Sequence, residues 1–301
     1  MSAKETRLRY KVAGHAFEFI HGEDFPCGGR LLAPYLPFAD DGSDECIFRL
    51  RIVRAPLPPT GRLIRRCNDE APYLWIYEDI SAAEEKCFGH SLSPDEPMSI
   101  LRCDGDEALL TIAPACGNSA AAMAVNNSAM LLYTWKTGGK ATLLLHASAT
   151  VRRGRAYLFL GRSGTGKSTH SRLWLDNIPG AELVNDDNPI LRVENGQVFV
   201  YGTPWSGKTP CYRNVKVPVG AIVKLSQAPQ NSIKRLKGLD AYANIVGSVS
   251  SIRWSRKIMD EITSLMSQIA MTTPCFAMDC LPDSEAAFIC RDGIINGTNH
   301  S

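Results

Sequence analysis

Ten cysteines occur in this 301-residue sequence, yet no two stand as C-x-x-C. That spacing rules out the usual zinc-ribbon and thioredoxin-type patterns, and Cys275 and Cys280, the closest pair, fit neither. The cysteines are expected to be mostly buried small hydrophobes in a reducing cytoplasm. An apolar run of roughly 18 residues is also missing, and the opening Met1–Tyr10 has no apolar core of signal-peptide length. A cytoplasmic chain without a membrane partner is therefore expected. Charge of one sign is scarce as well. Lys and Arg total 33 against 31 Asp and Glu, a net +2, which argues against a nucleic-acid binder that neutralises many phosphates. With 45% apolar and 21% charged residues, the composition is that of an ordinary globular chain.

There is no internal repeat, low-complexity tract or Gly/Ser-rich linker. The length suggests about two domains, with the border between 115 and 140 and the text of the sequence changing from about 141. We expect a β-rich α+β domain over 1–135, open to acceptor or partner binding, and an α/β domain over 136–301. In the first, Phe17–Ile20, Cys46–Val53, Tyr73–Tyr77 and Ala108–Ala113 carry β-branched or aromatic residues between turn-forming clusters and read as strands. A helix is expected over Asn126–Tyr133, capped by Asn127 or Ser128. In the second, Thr142–His146, Ala156–Leu160, Glu182–Asn185 and Ala221–Leu225 read as strands and Thr169–Asn177 as a helix. Asn195-Gly196 joins Ile190–Val193 to Val198–Tyr201 as a hairpin, because a type I′ turn needs two residues at positive φ. Helices near 239–249 and 256–269, a strand around Cys275–Met278 and a short closing helix after Pro282 complete the list.

The strongest signal is Gly161-Arg-Ser-Gly-Thr-Gly-Lys-Ser168, a full G-x-x-x-x-G-K-[ST] match between an expected strand and an expected helix. Glycines let successive amides converge on phosphate oxygens, and the new helix aims its unpaired N–H groups at the same anion. Nucleotide contacts are assigned to Gly161, Ser163, Gly164, Thr165, Gly166, Lys167, Ser168 and Thr169. Lys167 is the mobile charge for the outer phosphates and Ser168 a ligand for Mg²⁺.

Asp186-Asp187 ends the next expected strand. One helix and one strand separate it from Lys167, so the two strands run parallel and their carboxyl ends share a sheet edge, where open α/β sheets bind ligands. One carboxylate can hold Mg²⁺, directly or through water, and its neighbour can accept a proton from a hydroxyl. Which acid does which stays open. His146 ends an apolar strand and is either a third catalytic element or a satisfied core histidine. His170 reads as packing or surface. The hairpin returns the chain to the same edge, where Gly207-Lys208 can present a cation and amides to a phosphoryl group or an anionic substrate. Arg213 and Lys216 are weaker candidates for that task.

Together these residues resemble the HPr kinase/phosphorylase group and, more distantly, the ATP-dependent phosphoenolpyruvate carboxykinases with a similar nucleotide site. The resemblance covers roughly 140–225 and implies a P-loop kinase domain with a mixed sheet. By position it puts proton handling and metal binding on His146 and Asp186, with Asp187 in support. The chain diverges from that group at Thr169, at Ala147, and at Tyr201–Thr209, which stands where an arginine-glycine signature would be. The expected function is an ATP- and Mg²⁺-dependent phosphotransferase acting on a hydroxyl of a protein or small-molecule acceptor. Asp186, His146 and Lys208 would be catalytic, and Ser168, Asp186 and Asp187 would bind metal. Two other readings are a non-catalytic ATP-binding sensor and a carboxykinase-like enzyme acting on an oxoacid. The resemblance also implies a homo-oligomer.

Overall fold

The computed structural model describes residues 5–23, 25, 31–68, 70–78, 80, 86–207, 209–250 and 255–298. The fold is mixed α/β, with two mixed sheets and few helices, in two compact units, Met1–Lys136 and Thr137–Ser301.

The first unit holds β1 (Thr6–Val12), β2 (His15–His21), β3 (Cys46–Arg54), β4 (Leu63–Arg66), β5 (Tyr73–Glu78), β6 (Lys86–Ser91), β7 (Ser99–Asp104) and β8 (Glu107–Ile112). They form one sheet in the order β1-β2-β3-β8-β7-β6-β5-β4. A 3-10 turn at Ala33–Phe38 and α1 (Asn118–Thr137) cover it. The face of α1 that is buried repeats at helical spacing, through Ala121, Val125, Ala129 and Leu132, so an apolar stripe drives the packing. The helix starts at Asn118, well before the expected cap at Asn127 or Ser128. Ser128 is instead a fully buried interior residue whose hydroxyl lies 3.2 Å from His90 Nε2. Tyr133 donates to the Val12 carbonyl at 2.9 Å and caps an aromatic cluster of Tyr10, Phe17, Phe19, Tyr35 and Phe48.

In the second unit, β9 (Thr142–Leu145) is followed by β10 (Ala147–Arg152), β11 (Arg155–Leu160), α2 (Lys167–Asn177) and β12 (Glu182–Asn185). Next come the hairpin β13 (Ile190–Glu194) and β14 (Gln197–Tyr201), then β15 (Lys216–Gln227), β16 (Ser232–Leu236), α3 (Gly238–Val246), β17 (Val249–Ser250), α4 (Arg256–Thr272), β18 (Cys275–Cys280) and α5 (Ser284–Thr298). Asn195 and Gly196 have φ of 50° and 78°, the turn that the hairpin needs. The closing helix is not short, because Ala286, Ala287, Cys290 and Ile294 keep it docked for its whole length.

β15 is longer than the expected Ala221–Leu225, and it ties the unit together. Its first residues pair antiparallel with β14, while the remainder runs parallel to both β11 and β18. Pro218 and Gly220 fall where it changes partners, and the β11 register skips one residue there. A strand tolerates a missing donor and a bulge at such a place. β11 and β12 point the same way, as expected, yet they are not neighbours. β10 lies between them and is antiparallel to each.

Helices cover both faces. Tyr157, Phe159, Ala221, Val223 and Leu225 pack with Trp174 of α2 and Ala286, Ala287 and Cys290 of α5. Leu158, Leu160 and Ile222 pack with Ile245 of α3 and Ile262, Met266 and Ile269 of α4. Alternate residues of one strand thus enter opposite layers, which is why β11 and β15 read as unbroken apolar runs.

Among the described cysteines all but Cys67 are buried; Cys27 lies outside the described residues. Among the described residues, no helix is long and apolar enough to cross a membrane.

His90 is buried in the first unit, and among the described residues Nδ1 has no hydrogen-bond partner. Burial pushes its pKa from 6.5 down to about 4. Between those values the unfolded chain binds a proton that the folded chain excludes, so stability falls as pH drops through that window. The loss for this one group approaches about 1.4 kcal/mol per pH unit. Urea unfolding of His90→Gln between pH 7.5 and 5 is expected to lose that share of the pH slope; an unchanged slope would rule the assignment out.

Candidate functional site

Three strand termini meet at one edge of the second unit. Leu160, the last residue of β11, is paired with Ala147, the first of β10, and Asn185, the last of β12, is paired with Ala149. The residues just beyond those ends are Gly161, His146 and Asp186, which the pairing brings to a common edge.

The loop from Gly161 to Gly166 turns sharply into α2. Gly164 and Gly166 have φ of 82° and 96°, a conformation that side chains with a Cβ resist. The first amides of α2, at Lys167, Ser168 and Thr169, have no carbonyl one turn back inside the helix. Ser163, Gly164, Ser168 and Thr169 are exposed, and the Thr165 hydroxyl bonds the Arg162 carbonyl.

Lys167 is buried. Its ammonium donates to His146 Nε2 at 2.9 Å and to the carbonyls of Gly161 at 3.1 Å and Arg162 at 3.3 Å. Burial draws it below the ordinary lysine value, and Asp187 and Asp186 act against that shift. An ammonium can only donate, so Nε2 of His146 accepts and Nδ1 carries the proton. Nδ1 lies 3.0 Å from Asp187 Oδ1. Asp187 thereby fixes the tautomer, in a line Asp187–His146–Lys167.

His146 is not a core histidine. It sits in the bend between β9 and β10, with its backbone N–H on the Ser248 carbonyl at 2.7 Å and its side chain 42% exposed. Asp186 is the opposite case. It is 3% exposed, and its carboxylate accepts from Ser148 Oγ at 3.0 Å and the Thr209 amide at 3.3 Å. Ser148 in turn lies 2.5 Å from the Ser171 hydroxyl of α2.

The loop after the hairpin lies against the acidic pair. A Cβ on Gly207 would stand 3.0 Å from Asp187 Cβ. Lys208 lies outside the described residues. Arg213 is tied to the Leu183 carbonyl at 2.6 Å and to Glu182 at 2.9 Å. Lys216 bonds Glu194 and lies 4.2 Å from the Phe199 ring centroid. Both are therefore structural cations of the strand flanks and not anion-binding groups at this edge. His170 is buried edge-on to Phe159, 4.7 Å between ring centroids, so it is not a surface residue.

Asn185 was not singled out from sequence. It is fully buried and accepts from the amides of Asp187 at 2.9 Å and Asn188 at 2.8 Å. Its own amide donates to Thr203 Oγ1 at 3.1 Å and to the Thr203 and Trp205 carbonyls. It holds the turn that carries both acids against the loop beyond β14. The run Asn185-Asp-Asp-Asn-Pro189 carried that signal, since an Asn side chain bonding the amide two residues on makes an Asx turn.

Among the described residues, no three His, Cys, Asp or Glu side chains form a metal-holding cluster. Mg²⁺ does not require one, because it takes one or two carboxylates together with substrate phosphates. The exposed Ser168 hydroxyl and the spare lone pairs of Asp186 and Asp187 suit an ion that arrives with a nucleotide.

A family model described as "SynChlorMet cassette protein ScmC" matches residues 109–280, more than half of the chain. The chain belongs to the ScmC family. The matched span of this ScmC-family chain runs from β8 to the end of β18 and includes every site residue described above. No curated protein matches it. Among solved structures, the Hpr(Ser) kinase/phosphatase from Coxiella burnetii is similar at 14% identity and a TM-score of 0.34, over 52% of this chain and 91% of that one. The chemistry of the site is accordingly read from its own geometry.

Replacing Asn185 with Ala would remove the acceptor of two amides, at Asp187 and Asn188, and a donor to Thr203 and Trp205. The expected loss is about 3 kcal/mol of stability, by the usual cost of stranding buried polar groups. Urea unfolding of Asn185→Ala measures it, and a loss below about 1 kcal/mol would show that the clamp does not hold the turn.

Proposed function

We propose that this chain is an ATP-dependent phosphotransferase, acting with Mg²⁺ on a hydroxyl of a protein or metabolite acceptor. The observation that carries this reading is the line Asp187–His146–Lys167 at the mouth of a glycine-rich loop that opens a helix. Loop, lysine and oriented imidazole are the parts that such a transfer needs within one short radius.

In this reading the loop amides and Lys167 bind the triphosphate. Ser168 and Asp186 would hold Mg²⁺, which would supply charge compensation for the transferred phosphoryl, and Asp187 would support the same site. When Lys167 turns to the phosphates, it leaves Nε2 of His146 with a free lone pair. The acceptor oxygen attacks the γ-phosphorus, the bond to the β,γ-bridging oxygen breaks, ADP leaves, and the hydroxyl proton passes to Nε2. Asp187 stabilises the imidazolium so formed. The burial of Asp186 and its two donors favour metal holding over proton transfer for that residue, whereas His146 is open to a substrate. Loop 202–207 adds a wall beside Asp187.

Two variants separate binding from chemistry. Lys167→Ala is expected to weaken ATP binding by at least about tenfold in calorimetric titration. His146→Gln is expected to keep ATP affinity within about threefold and to lower transfer of the γ-phosphoryl of labelled ATP by about 10²–10⁴. Label transfer into lysate proteins and metabolites gives the readout. Transfer by His146→Gln at the parent rate would overturn the base assignment. ATP binding with no transfer to any acceptor would favour a sensor.

A further inference from the structure

β11, β15 and β18 are parallel neighbours, so their carboxyl ends lie along the edge from which the glycine-rich loop departs. Beyond those ends lies a recess of about 420 Å³, between the loop and α2 on one side and the chain leaving β15 and β18 on the other. Gly164 and Thr169 form its inner wall, Leu173 and Leu281 its apolar sides, and Gln227 and His170 contribute polar groups. Among the described residues, none lining it is an Asp, Glu, Lys or Arg. Whatever fills it next to an anion-binding loop is uncharged there, and apolar enough to lie against two leucines.

His170 gives the second, independent indication. It is 2% exposed, and among the described residues neither ring nitrogen has a hydrogen-bond partner. A neutral imidazole offers one donor and one acceptor. Stranding both in a packed interior is costly and uncommon. Gln227 donates its side-chain amide to the Gly164 carbonyl at 3.2 Å, which ties the end of β15 to the loop and leaves the Gln227 side-chain oxygen to accept. A flat heterocycle with its own donors and acceptors matches this wall chemistry.

We propose that the recess seats the nucleobase and ribose of the nucleotide, with His170 and Gln227 as the polar groups that distinguish a nucleotide from a bare polyphosphate. The proposal rests on the phosphate-binding reading of the loop and adds a specificity site to it. It assigns Leu173 and Leu281 to the faces of the base, and it makes His170 a specificity residue and not only a packing one.

Competition between ATP and inorganic tripolyphosphate, each with Mg²⁺, tests it by calorimetric titration of the whole chain. ATP is expected to bind at least about tenfold more tightly than tripolyphosphate. His170→Phe, which keeps the ring and removes both nitrogens, should weaken ATP about tenfold and leave tripolyphosphate unchanged. Leu281→Trp, at a partly exposed position that folding tolerates, should fill the recess with the same selective loss. Equal affinity for the two ligands, or unaltered ATP affinity in both variants, overturns the nucleobase seat while leaving phosphate binding intact. Binding of neither ligand removes the phosphate reading and this proposal with it.

Discussion

Much at this edge depends on one buried side chain with no role in chemistry. Asn185 ends β12 and is held by hydrogen bonds on both sides of its amide. Through those bonds it sets the direction of the next two residues, so that Asp186 turns inward to Ser148 while Asp187 turns outward to His146. Two identical acids in sequence thereby acquire different surroundings, one nearly dry and the other at the surface. A fixed polar clamp of this kind is effective because Asn185 itself is fully buried, with Thr203 and Trp205 buried on its donor side.

The same edge shows how the sheet assembles a site from distant segments. β9 belongs to the strands that pair with β13, and β10 to those that pair with β11 and β12. His146 is the joint between them, which is why it can face Lys167 on one side and Asp187 on the other. β15 links the two groups of strands from the opposite side, and its parallel neighbours carry the recess beside α2. Placement of these groups on strand ends, and not on long loops, gives them the rigidity that the proposed transfer would need.

What could be read in the sequence follows from how local each signal is. The glycine-rich run, the Asn195-Gly196 turn and the apolar strands β11 and β12 state their conformations within a few residues. The insertion of β10 between β11 and β12 does not, because Ala147–Arg152 is short and lacks strand-specific residues apart from Thr150 and Val151. Pro218 and Gly220 hid the first half of β15, since breakers inside a strand make sense only once its change of partner is known. The start of α1 was missed because Asn118 is followed by alanines that show no periodicity until their burial is seen. At the site, Lys167, Asp186, Asp187 and His146 were legible as candidates. The different surroundings of the two acids were not, because they depend on Asn185, Ser148 and Thr209 coming together from different strands and loops. Arg213 and Lys216 were overvalued for the same reason: their partners, Glu182 and Glu194, are remote in sequence from them and close only in the fold.

The most direct measurement is a crystal structure with Mg²⁺ and a non-hydrolysable ATP analogue. The account requires the triphosphate against the amides of residues 163–168, with the Lys167 ammonium moved from His146 Nε2 to a phosphate oxygen while Asp187 keeps its bond to Nδ1. A triphosphate bound elsewhere, or a Lys167 still bonded to His146 beside a fully occupied loop, would contradict it.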